Sequence, residues 1–357
     1  MKKLNLAVIG QGRSGRNIHG IYYRSERNVY YNVKYVVDAD EHRREIAKRE
    51  YEGATILSDY KQLFDYKDID LVVNCTYSEM HYAVSKDLLE HGYNVLSEKP
   101  FGRNRYECED LIATAERNGV VLAVFHNTQL APFYLDAIRL IKEGVLGDIT
   151  QVSIRYNGFA RRWDWQTLKK KLAGSLYNTG PHPVAMALGF LDFDENATVA
   201  YSKMVSTDLT SGDGDDYVKA IITAPGKPVV DMEISSTDAF TDYNLKIQGS
   251  KGTFKCVAER YKIKYIIDGE NPERPVIEEF IHKEDWTPIY CKESLVAHEE
   301  EGEYAGTAFD VGTAGIYESV YYKLTENRPL VVTNEMSKAV IGVIETVHAQ
   351  NPLPLKF

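Results

Sequence analysis

The chain has 357 residues, of which 44% are hydrophobic and 26% charged, with a formal net charge of −10. That length exceeds what one compact core normally accommodates, so we expect two domains, and the composition is that of an ordered globular protein. The acidic balance argues against nucleic-acid binding, which requires a basic surface, and no apolar run approaches the roughly 18 residues of a membrane span.

Four cysteines, Cys75, Cys108, Cys256 and Cys291, are widely spaced and form no CxxC pair. They indicate free thiols of a cytoplasmic protein, and the lack of a zinc signature predicts no metal site. We expect no signal peptide, because Gly10 and Arg13 would interrupt its apolar region.

Strands and helices alternate along the first third of the chain, as they do in a doubly wound parallel sheet. The pattern predicts strands at residues 4–9, 33–37, 55–57, 70–74, 94–96 and 120–125. It predicts helices between them at 13–24, 41–52, 79–91 and 104–118. An α/β Rossmann domain over residues 1–127 is therefore expected.

After about residue 127 the pattern becomes mostly alternating. A helix opened by Pro132 comes first, and alternating segments follow at 152–157, 218–222 and 229–234, with a hairpin at 243–257. This predicts an α+β domain over residues 128–357, with a large, mostly antiparallel open sheet covered on one face by helices. The C-terminal helix, 334–350, could pack on either domain.

Two charged runs in this second part have simple interpretations. The acidic run 299–303 is interpreted as a solvated loop and not a metal site. The three lysines at 169–171 are interpreted as a solvated helix face.

The segment Gly10-Gln11-Gly12-Arg13-Ser14-Gly15 joins the first strand to the first helix. In this spacing the first glycine allows a tight turn, the second lets a pyrophosphate approach the backbone, and the third lets helix and strand pack closely. The helix N-terminus then offers amide donors and partial positive charge to phosphates. The motif therefore predicts a dinucleotide site.

Asp38, at the end of the second strand, lies 23 positions after Gly15. A carboxylate there can bind both ribose hydroxyls of the adenosine half and would repel a 2′-phosphate, which favours NAD over NADP. Arg43 and Arg44 temper this preference, because an arginine nearby could accommodate the phosphate.

The tripeptide Glu98-Lys99-Pro100 follows the fifth strand, at the carboxyl edge where open α/β sheets bind ligands. A lysine at this edge can hydrogen-bond a substrate hydroxyl and stabilise the developing alkoxide. A lowered pKa would also let Lys99 transfer a proton. Considered by itself, Lys99 is better explained as a surface lysine paired with Glu98; the glycine-rich loop on the same edge raises the functional interpretation above that one.

Taken together, these motifs resemble those of the glucose–fructose oxidoreductase/inositol dehydrogenase/MocA family. The set comprises the glycine loop, Asp38, Asn74-Cys75-Thr76 with His81, Glu98-Lys99-Pro100 and Gly147-Asp148-Ile149, and the resemblance spans about residues 5–191, then weakly 248–253 and 328–348. It implies a sheet domain that supports the substrate pocket and often an oligomer interface, hence a homodimer or homotetramer. It also implies dinucleotide-dependent oxidation or reduction of a sugar or polyol hydroxyl, with the motif lysine in catalysis.

The resemblance also assigns cofactor-binding residues. His81 is equally explained as a side chain that holds its loop, and Asn127 lies where family members contact the nicotinamide end or the substrate. The full set is Gly10, Gln11, Gly12, Arg13, Ser14, Gly15, Asp38, Cys75, Thr76, His81, Glu98, Lys99 and Asn127.

The family's second catalytic motif runs Asp-x-Gly-x-His-x-x-Asp. This chain has Asn178 and Ala185 in place of the two aspartates and keeps His182, which carries over as general acid/base. Asn178 can hydrogen-bond a substrate hydroxyl but cannot exchange a proton or stabilise an imidazolium. A proton relay would therefore rest on Lys99 and His182, unless the chemistry differs.

The segment Arg161-Arg162-Trp163-Asp164-Trp165 precedes this motif in a predicted loop. Arg162 and Trp163 are candidate substrate-binding residues, because tryptophan stacks on sugar rings and arginine reads hydroxyls or carboxylates. A structural or oligomer-contact loop is an equally good interpretation.

The sequence thus predicts an NAD(P)-dependent dehydrogenase that acts on a CH–OH group of a sugar, sugar derivative or cyclitol. Two alternatives stay open: a redox-neutral, NAD-dependent glycosidase or lyase, for which the altered motif leaves room, and a dinucleotide-sensing regulator. The presence of both Lys99 and His182 argues against the regulator.

Overall fold

The structure, a computed structural model, describes residues 2–357. Its first sheet has six strands: β1 (Leu4–Ile9), β2 (Tyr31–Val37), β3 (Thr55–Leu57), β4 (Leu71–Asn74), β5 (Val95–Ser97) and β6 (Leu122–Val124). They lie in the order β3-β2-β1-β4-β5-β6, with every neighbouring pair parallel. The predicted doubly wound sheet is confirmed, and its order reverses beside β1, where such sheets bind ligands.

Helices connect these strands. A π-helical segment, Gly15–His19, runs into α1 (Gly20–Tyr23), and α2 (Glu41–Glu50), α3 (His81–Glu90) and α4 (Arg105–Asn118) follow. Helix α4 begins where the Asn104 side chain accepts a hydrogen bond from the Glu107 amide, and it ends where Gly119 adopts a left-handed φ of 63°. Both ends match the sequence prediction, because Asn and Gly are favoured at these positions.

The second sheet has eight strands in the order β14-β13-β12-β11-β7-β10-β9-β8. All neighbours are antiparallel except β7 and β10, which run parallel. The strands are β7 (Ile149–Asn157), β8 (Thr198–Val205), β9 (Tyr217–Thr223), β10 (Val229–Ser235), β11 (Leu245–Gly249), β12 (Gly252–Val257), β13 (Arg260–Tyr265) and β14 (His298–Glu303). The predicted open, mostly antiparallel sheet is confirmed.

One face of this sheet forms the core of the second unit. Val152 and Ile154 of β7 are fully buried, as are Val218, Ala220 and Ile222 of β9. The other helices are α5 (Pro132–Lys142), α6 (Ser175–Asn178), α7 (Pro181–Phe190), α8 (Thr313–Glu326) and α9 (Asn334–Gln350). Helix α7 packs on β7 and β10, and α9 packs on β8, α7 and α4. Within residues 2–357 no helix is long and apolar enough to cross a membrane.

Helix α8 packs against the first sheet although it lies near the end of the chain. Ile316, Tyr317 and Val320 belong to one buried cluster with Leu6 and Val8 of β1. The domain division at residue 127 stays a prediction; the chain returns to the first sheet through α8, and α9 contacts both units.

Two sequence interpretations are wrong. The acidic run 299–303 belongs to edge strand β14, because Lys262 and Lys264 of β13 lie opposite it and pair with Glu301 and Glu299. The lysine run Lys169–Lys171 forms a single 3₁₀ turn, not a helix face. The Lys169 amide binds Asp213, and the Lys171 ammonium lies 2.6 Å from Glu79 Oε1. In both runs the partners that set the local structure are distant in sequence, so a local charge pattern could not predict them.

Candidate functional site

A cavity of about 660 Å³ lies along the carboxyl ends of β1, β2, β4 and β5 and reaches the segment that follows β7. Across it, Trp165 packs edge-on against Tyr77, with ring centres 4.9 Å apart, and Lys171 pairs with Glu79. The lining therefore combines side chains of both units. From the first sheet's loops it includes Gly10, Gly12, Arg13, Ser14, Asp38, Arg43, Cys75, Thr76, Tyr77, His81, Glu98 and Lys99, and from the second unit Arg162, Asp164, Trp165, Gln166 and Asn178.

The glycine loop leaves space where a ligand phosphate would lie. Gly10 has φ of 91°, and a Cβ there would lie 2.4 Å from the Cys75 carbonyl oxygen. A Cβ on Gly15 would lie 1.8 Å from the Gly10 carbonyl oxygen, so both glycines are required by close packing. A Cβ on Gly12 would meet only Arg43 Nη1, at 3.8 Å, and would project into open space beside the loop. This cradle fits a dinucleotide pyrophosphate.

Asp38 ties the glycine loop to β2. Its Oδ2 accepts from the Gln11 amide at 2.7 Å, and its Oδ1 accepts from the Asp40 amide at 2.8 Å. The Arg43 guanidinium lies 3.7 Å from the same carboxylate and lines the cavity. Arg44 instead donates to the carbonyls of Asp38 and Ala39. Each carboxylate oxygen keeps a further acceptor site, so Asp38 can still bind a ribose hydroxyl.

Glu98 is 3% exposed and has its charge compensated by neighbours. Although burial opposes ionisation, the hydrogen bond from His19 and the charges of His19, Lys99 and His81 lower the pKa of Glu98 to about 2. His19 Nε2 lies 3.0 Å from Glu98 Oε1, and the Lys99 amide donates to Oε2 at 3.0 Å. Glu98 is therefore a fixed anion at the base of the site.

The Lys99 side chain crosses from the first unit to the second. Its Nζ donates to the Asn178 carbonyl oxygen at 2.7 Å. Burial, and then the charges of Arg13 and Arg162, lower the pKa of Lys99, and only Glu98 opposes them. A lysine held this way has an increased share of the neutral amine, which can accept a proton.

Two histidines lie near Lys99. His182 Nδ1 lies 3.2 Å from Thr128 Oγ1, and burial, followed by the charges of Lys99 and His126, holds the pKa of His182 well below its usual range. His126, at the end of β6, is 2% exposed, and neither of its ring nitrogens has a hydrogen-bond partner among residues 2–357. Burial, with the nearby Lys99 charge, lowers the pKa of His126 to about 4. Both rings are neutral near pH 7.

A buried aspartate supports the turn that carries Asn178. Asp215, 3% exposed, accepts from the Leu176 amide through Oδ2 at 2.8 Å, and its carbonyl accepts from the Ser175 amide. Gly174 has φ of 109°, and a Cβ there would lie 2.3 Å from Asp215 Oδ1. Burial, with the charge of Asp216, raises the pKa of Asp215 to about 7. This clasp fixes the Asn178 carbonyl that Lys99 contacts.

The structure gathers most of the sequence-predicted site residues at this cavity. His81 links two loops, since its ring nitrogens lie 3.0 Å from the Pro100 carbonyl and 3.1 Å from the Thr76 carbonyl. The Asn127 side chain donates to the Ala308 carbonyl. Predicted residues on the cavity wall are Gly10, Gly12, Arg13, Ser14, Asp38, Cys75, Thr76, His81, Glu98, Lys99, Arg162 and Asn178, whereas Gln11, Gly15, Asn127, Trp163 and His182 lie outside its lining.

Sequence reasoning missed several residues of this region. Trp163 is 74% exposed, and Trp165, two positions later, lines the cavity instead. His126 gave one usable signal, its place directly after a buried strand at the carboxyl edge. His19 and Asp215 gave none, because their partners are distant in sequence.

Both units of the chain are similar in sequence to known proteins. Residues 4–126 match the family described as an oxidoreductase family with an NAD-binding Rossmann fold, and residues 134–255 match its GFO/IDH/MocA C-terminal domain. The uncharacterised oxidoreductase YdgJ of Escherichia coli is 26% identical over 285 residues, which cover 79% of this chain and 77% of YdgJ.

Two further similar proteins have more specific names. IolW of Bacillus subtilis, named scyllo-inositol 2-dehydrogenase (NADP(+)), is 27% identical over 187 residues, 52% of this chain and 51% of IolW. KijD10 of Actinomadura kijaniata, a 3-ketoreductase whose structure contains NADP and TDP-benzene, aligns with a TM-score of 0.78 over 98% of each chain, at 15% identity. At that identity the likeness to KijD10 is one of fold.

The glycine loop predicts different effects for alanine at Gly15 and at Gly12, and each variant serves as the control for the other. We expect Gly15→Ala to lower the free energy of unfolding by about 1–3 kcal/mol or more, because its Cβ has no space, and overpacking strains the helix–strand contact. Gly12→Ala should unfold like the wild type but bind dinucleotide at least about tenfold more weakly, because its Cβ enters the pyrophosphate cradle. Guanidinium unfolding and a fluorescence titration with NADH test the pair. Equal effects of both variants on stability would contradict this division of roles.

Asp215 generates a pH prediction. Its pKa is raised above the unfolded value, so between about pH 4 and pH 7 the folded state holds a proton that the unfolded state has lost. Stability attributable to this group is therefore present at low pH and is lost as pH rises through about 7. We expect Asp215→Asn to become progressively more stable relative to the wild type over that window. Denaturant unfolding at several pH values measures this, with exposed Asp285→Asn as control; parallel curves would overturn it.

Proposed function

Because the chain belongs to the glucose–fructose oxidoreductase/inositol dehydrogenase/MocA family of oxidoreductases, we propose that it is a nicotinamide-dependent dehydrogenase of sugars, sugar derivatives or cyclitols. It would transfer a hydride from a CH–OH carbon to the dinucleotide. The observation that carries the proposal is the half-buried Lys99 amine, which lies between the two units where the dinucleotide cradle meets the second sheet's loops.

The dinucleotide, when bound, supplies the nicotinamide ring that accepts or returns the hydride. On the protein side, the Gly10–Gly15 loop would hold the pyrophosphate through backbone amides, and Asp38 would bind the adenosine ribose. Ser58, Asp59, Tyr60 and Arg43 line the same end of the cavity, where Arg43 adds positive charge.

Lys99 is the proposed proton acceptor. Its lowered pKa lets the neutral amine take the proton of the substrate hydroxyl, and the resulting ammonium stabilises oxygen charge as the hydride leaves carbon. Glu98 remains anionic and favours the charged form of Lys99, whereas burial favours the neutral amine. Lys99 can therefore hold or release a proton. His182 would add a hydrogen bond to the same oxygen without carrying charge.

Side chains of the second unit would bind the substrate and determine its specificity. Arg162, Asp164, Trp165 and Asn178 line the cavity beyond Lys99, and Arg162 donates to Asp164 at 3.0 Å. Such a set offers donors, acceptors and one aromatic surface, which suits a ring that carries several hydroxyl groups. The name of IolW, a scyllo-inositol 2-dehydrogenase, agrees with a cyclitol substrate in a related protein.

Two further parts of the proposal concern assembly and compartment. Residues of β9 alternate between buried and partly exposed, and this partly exposed face of the eight-stranded sheet supports a homodimer or homotetramer. The four cysteines are free, three of them buried, which supports a reducing, cytoplasmic environment.

We expect Lys99→Met to lower kcat by at least about a thousandfold, because methionine keeps the length of the side chain but cannot accept a proton. NADH binding should persist in this variant. The measurement is absorbance at 340 nm with NAD or NADP and a panel of sugars, sugar acids and inositols, and the matched control is Lys170→Met, at an exposed lysine. Turnover by Lys99→Met near that of the wild type would refute the role. NAD found bound without net NADH for any substrate would refute the dehydrogenase.

We also expect NADH to bind at least about tenfold more tightly than NADPH, because the Asp38 carboxylate would repel a 2′-phosphate. Asp38→Asn should narrow this difference in affinity, and Arg43→Ala should widen it by removing a cation that lies 3.7 Å from the Asp38 carboxylate. Parallel fluorescence titrations with both nucleotides test this. Tighter binding of NADPH than of NADH by the wild type would contradict the predicted preference for NADH.

A further inference from the structure

A long arm, residues 266–297, joins β13 to β14 at one edge of the eight-stranded sheet. Its two limbs pair with each other. The Asn271 side chain bonds the backbone of Val296 at 2.8 and 3.0 Å, and Arg274 lies 2.6 Å from Glu293. Past its first five residues, every hydrogen bond and ion pair that the arm makes within residues 2–357 joins two of its own residues. The arm is therefore an ordered projection that holds itself together.

The arm exposes much apolar surface. Phe280, Trp286 and Tyr290 are 66%, 72% and 81% exposed, and Val276 and Leu295 are exposed as well. An aromatic side chain contributes about 150–250 Å², so the three rings alone present about 300–550 Å² to the solvent. That is the size of the largest apolar patch on a typical monomer, and such patches mark interaction sites.

A second exposed aromatic patch borders the cavity. Phe159 and Trp163 follow β7, Phe240 follows β10, and all three side chains are exposed. A β-bridge between Phe159 and Thr237 joins the two segments. We call residues 158–164 with Phe240 the rim, since the same segment contributes side chains to the cavity wall.

The arm and the rim combine aromatic side chains with opposite charges. Residues 266–297 contain eight acidic and three basic residues, and acidic pairs directly precede both Phe280 and Trp286. On the rim, Arg161 and Arg162 stand between the two aromatic residues that follow β7, and Arg161 is exposed. Opposite charges across an interface favour the correct partner and speed its association. The rim is thus a surface that the tip of the arm fits. The acidic residues of the tip, all exposed, are Glu278, Glu279, Glu284 and Asp285.

Within one chain the two surfaces lie at opposite ends of the sheet. Strand β13 ends at Tyr265, opposite Gly252, and this end of the sheet also holds Gln151, near the start of β7. The rim follows Asn157, where β7 ends, about 20 Å farther along the strand direction. A two-fold axis perpendicular to the strands reverses their direction in a second copy. It therefore brings each arm to the other copy's rim, as an isologous dimer requires.

We propose that two copies of the chain exchange arms, so that the arm of each copy docks on the rim of the other copy's cavity. The aromatic side chains of two arms, with an equal area of the rims that they cover, bury roughly 1,200–2,200 Å², the size of a stable protein–protein interface. The docked arm closes the substrate end of the cavity. The inference rests on the proposed function only in this last respect.

The first test is the mass of the full-length protein by sedimentation. We expect the wild type to be a dimer or larger. Phe280→Glu combined with Trp286→Glu should weaken assembly at least about a hundredfold, because charge replaces the apolar centre. Phe240→Glu on the rim should do the same, whereas Tyr106→Glu, at a 71% exposed aromatic of α4, should not. Circular dichroism verifies that each variant is folded. A monomeric wild type, or arm and rim variants that assemble like it, would overturn the proposal.

The second test locates the contact without weakening it. Cys291 lies on the arm and is the exposed member of the four free cysteines. In Phe240→Cys, a short bismaleimide should join Cys291 of one copy to position 240 of the other. The product has the mass of two chains on a denaturing gel, and mass spectrometry identifies the linked peptides. Tyr106→Cys, the matched control, should give no link from position 106 to Cys291. Absence of the link between Cys291 and position 240 would contradict docking of the arm on the rim.

The third test separates the inference from the proposed chemistry. The monomeric arm variant should bind NADH like the wild type but have a KM for the substrate at least about tenfold higher, because the rim residue Arg162 lines the cavity. An unchanged KM would overturn the part of the inference that concerns the cavity. Failure of the proposed function would show differently, as a Lys99→Met variant that assembles normally and still turns over.

Discussion

The buried carboxylate of Glu98 is the constraint on which the rest of the site depends. An ionised carboxylate out of water is unstable unless other groups compensate it. Here the compensation comes from His19 on the first helical segment and from the backbone and charge of Lys99. His19 is in turn fixed at 2.7 Å by the Tyr317 hydroxyl of α8. The position of Lys99 thus depends on a helix that lies more than two hundred residues later in the chain.

On the opposite side of the cavity, a second buried acid has a different function. Asp215 binds backbone amides of α6 and not a charged partner, so its own ionisation is disfavoured. The turn that it holds presents a carbonyl to Lys99. The lysine therefore meets a permanent anion on one side and an uncharged acceptor on the other. Burial, with the charges of Arg13 and Arg162, lowers the pKa of Lys99 against the effect of Glu98, and the hydrogen bond to the Asn178 carbonyl keeps the amine paired.

Local patterns in the sequence predicted the features that depend on residues close together in the chain. Alternation and capping residues placed the strands and helices such as Arg105–Asn118, and the glycine spacing located the cradle. Contacts between distant segments could not be predicted. The partnership of β13 and β14, the His19–Glu98 pair and the Asp215 clasp each join residues whose separation carries no periodic signal. Trp165, at the start of a short 3₁₀ turn, Trp165–Thr167, lines the cavity, whereas Trp163 is exposed, and no local pattern distinguishes the two.

The return of α8 to the first sheet has a consequence for synthesis of the chain on the ribosome. The first six strands emerge early, but the face of β1 that α8 covers stays open until Thr313–Glu326 has been translated. At about 5–20 residues per second, that delay is on the order of 10–40 s. During this time the apolar side chains of β1 face the solvent or a chaperone. The nucleotide-binding unit, although encoded first, is completed among the last parts of the nascent protein.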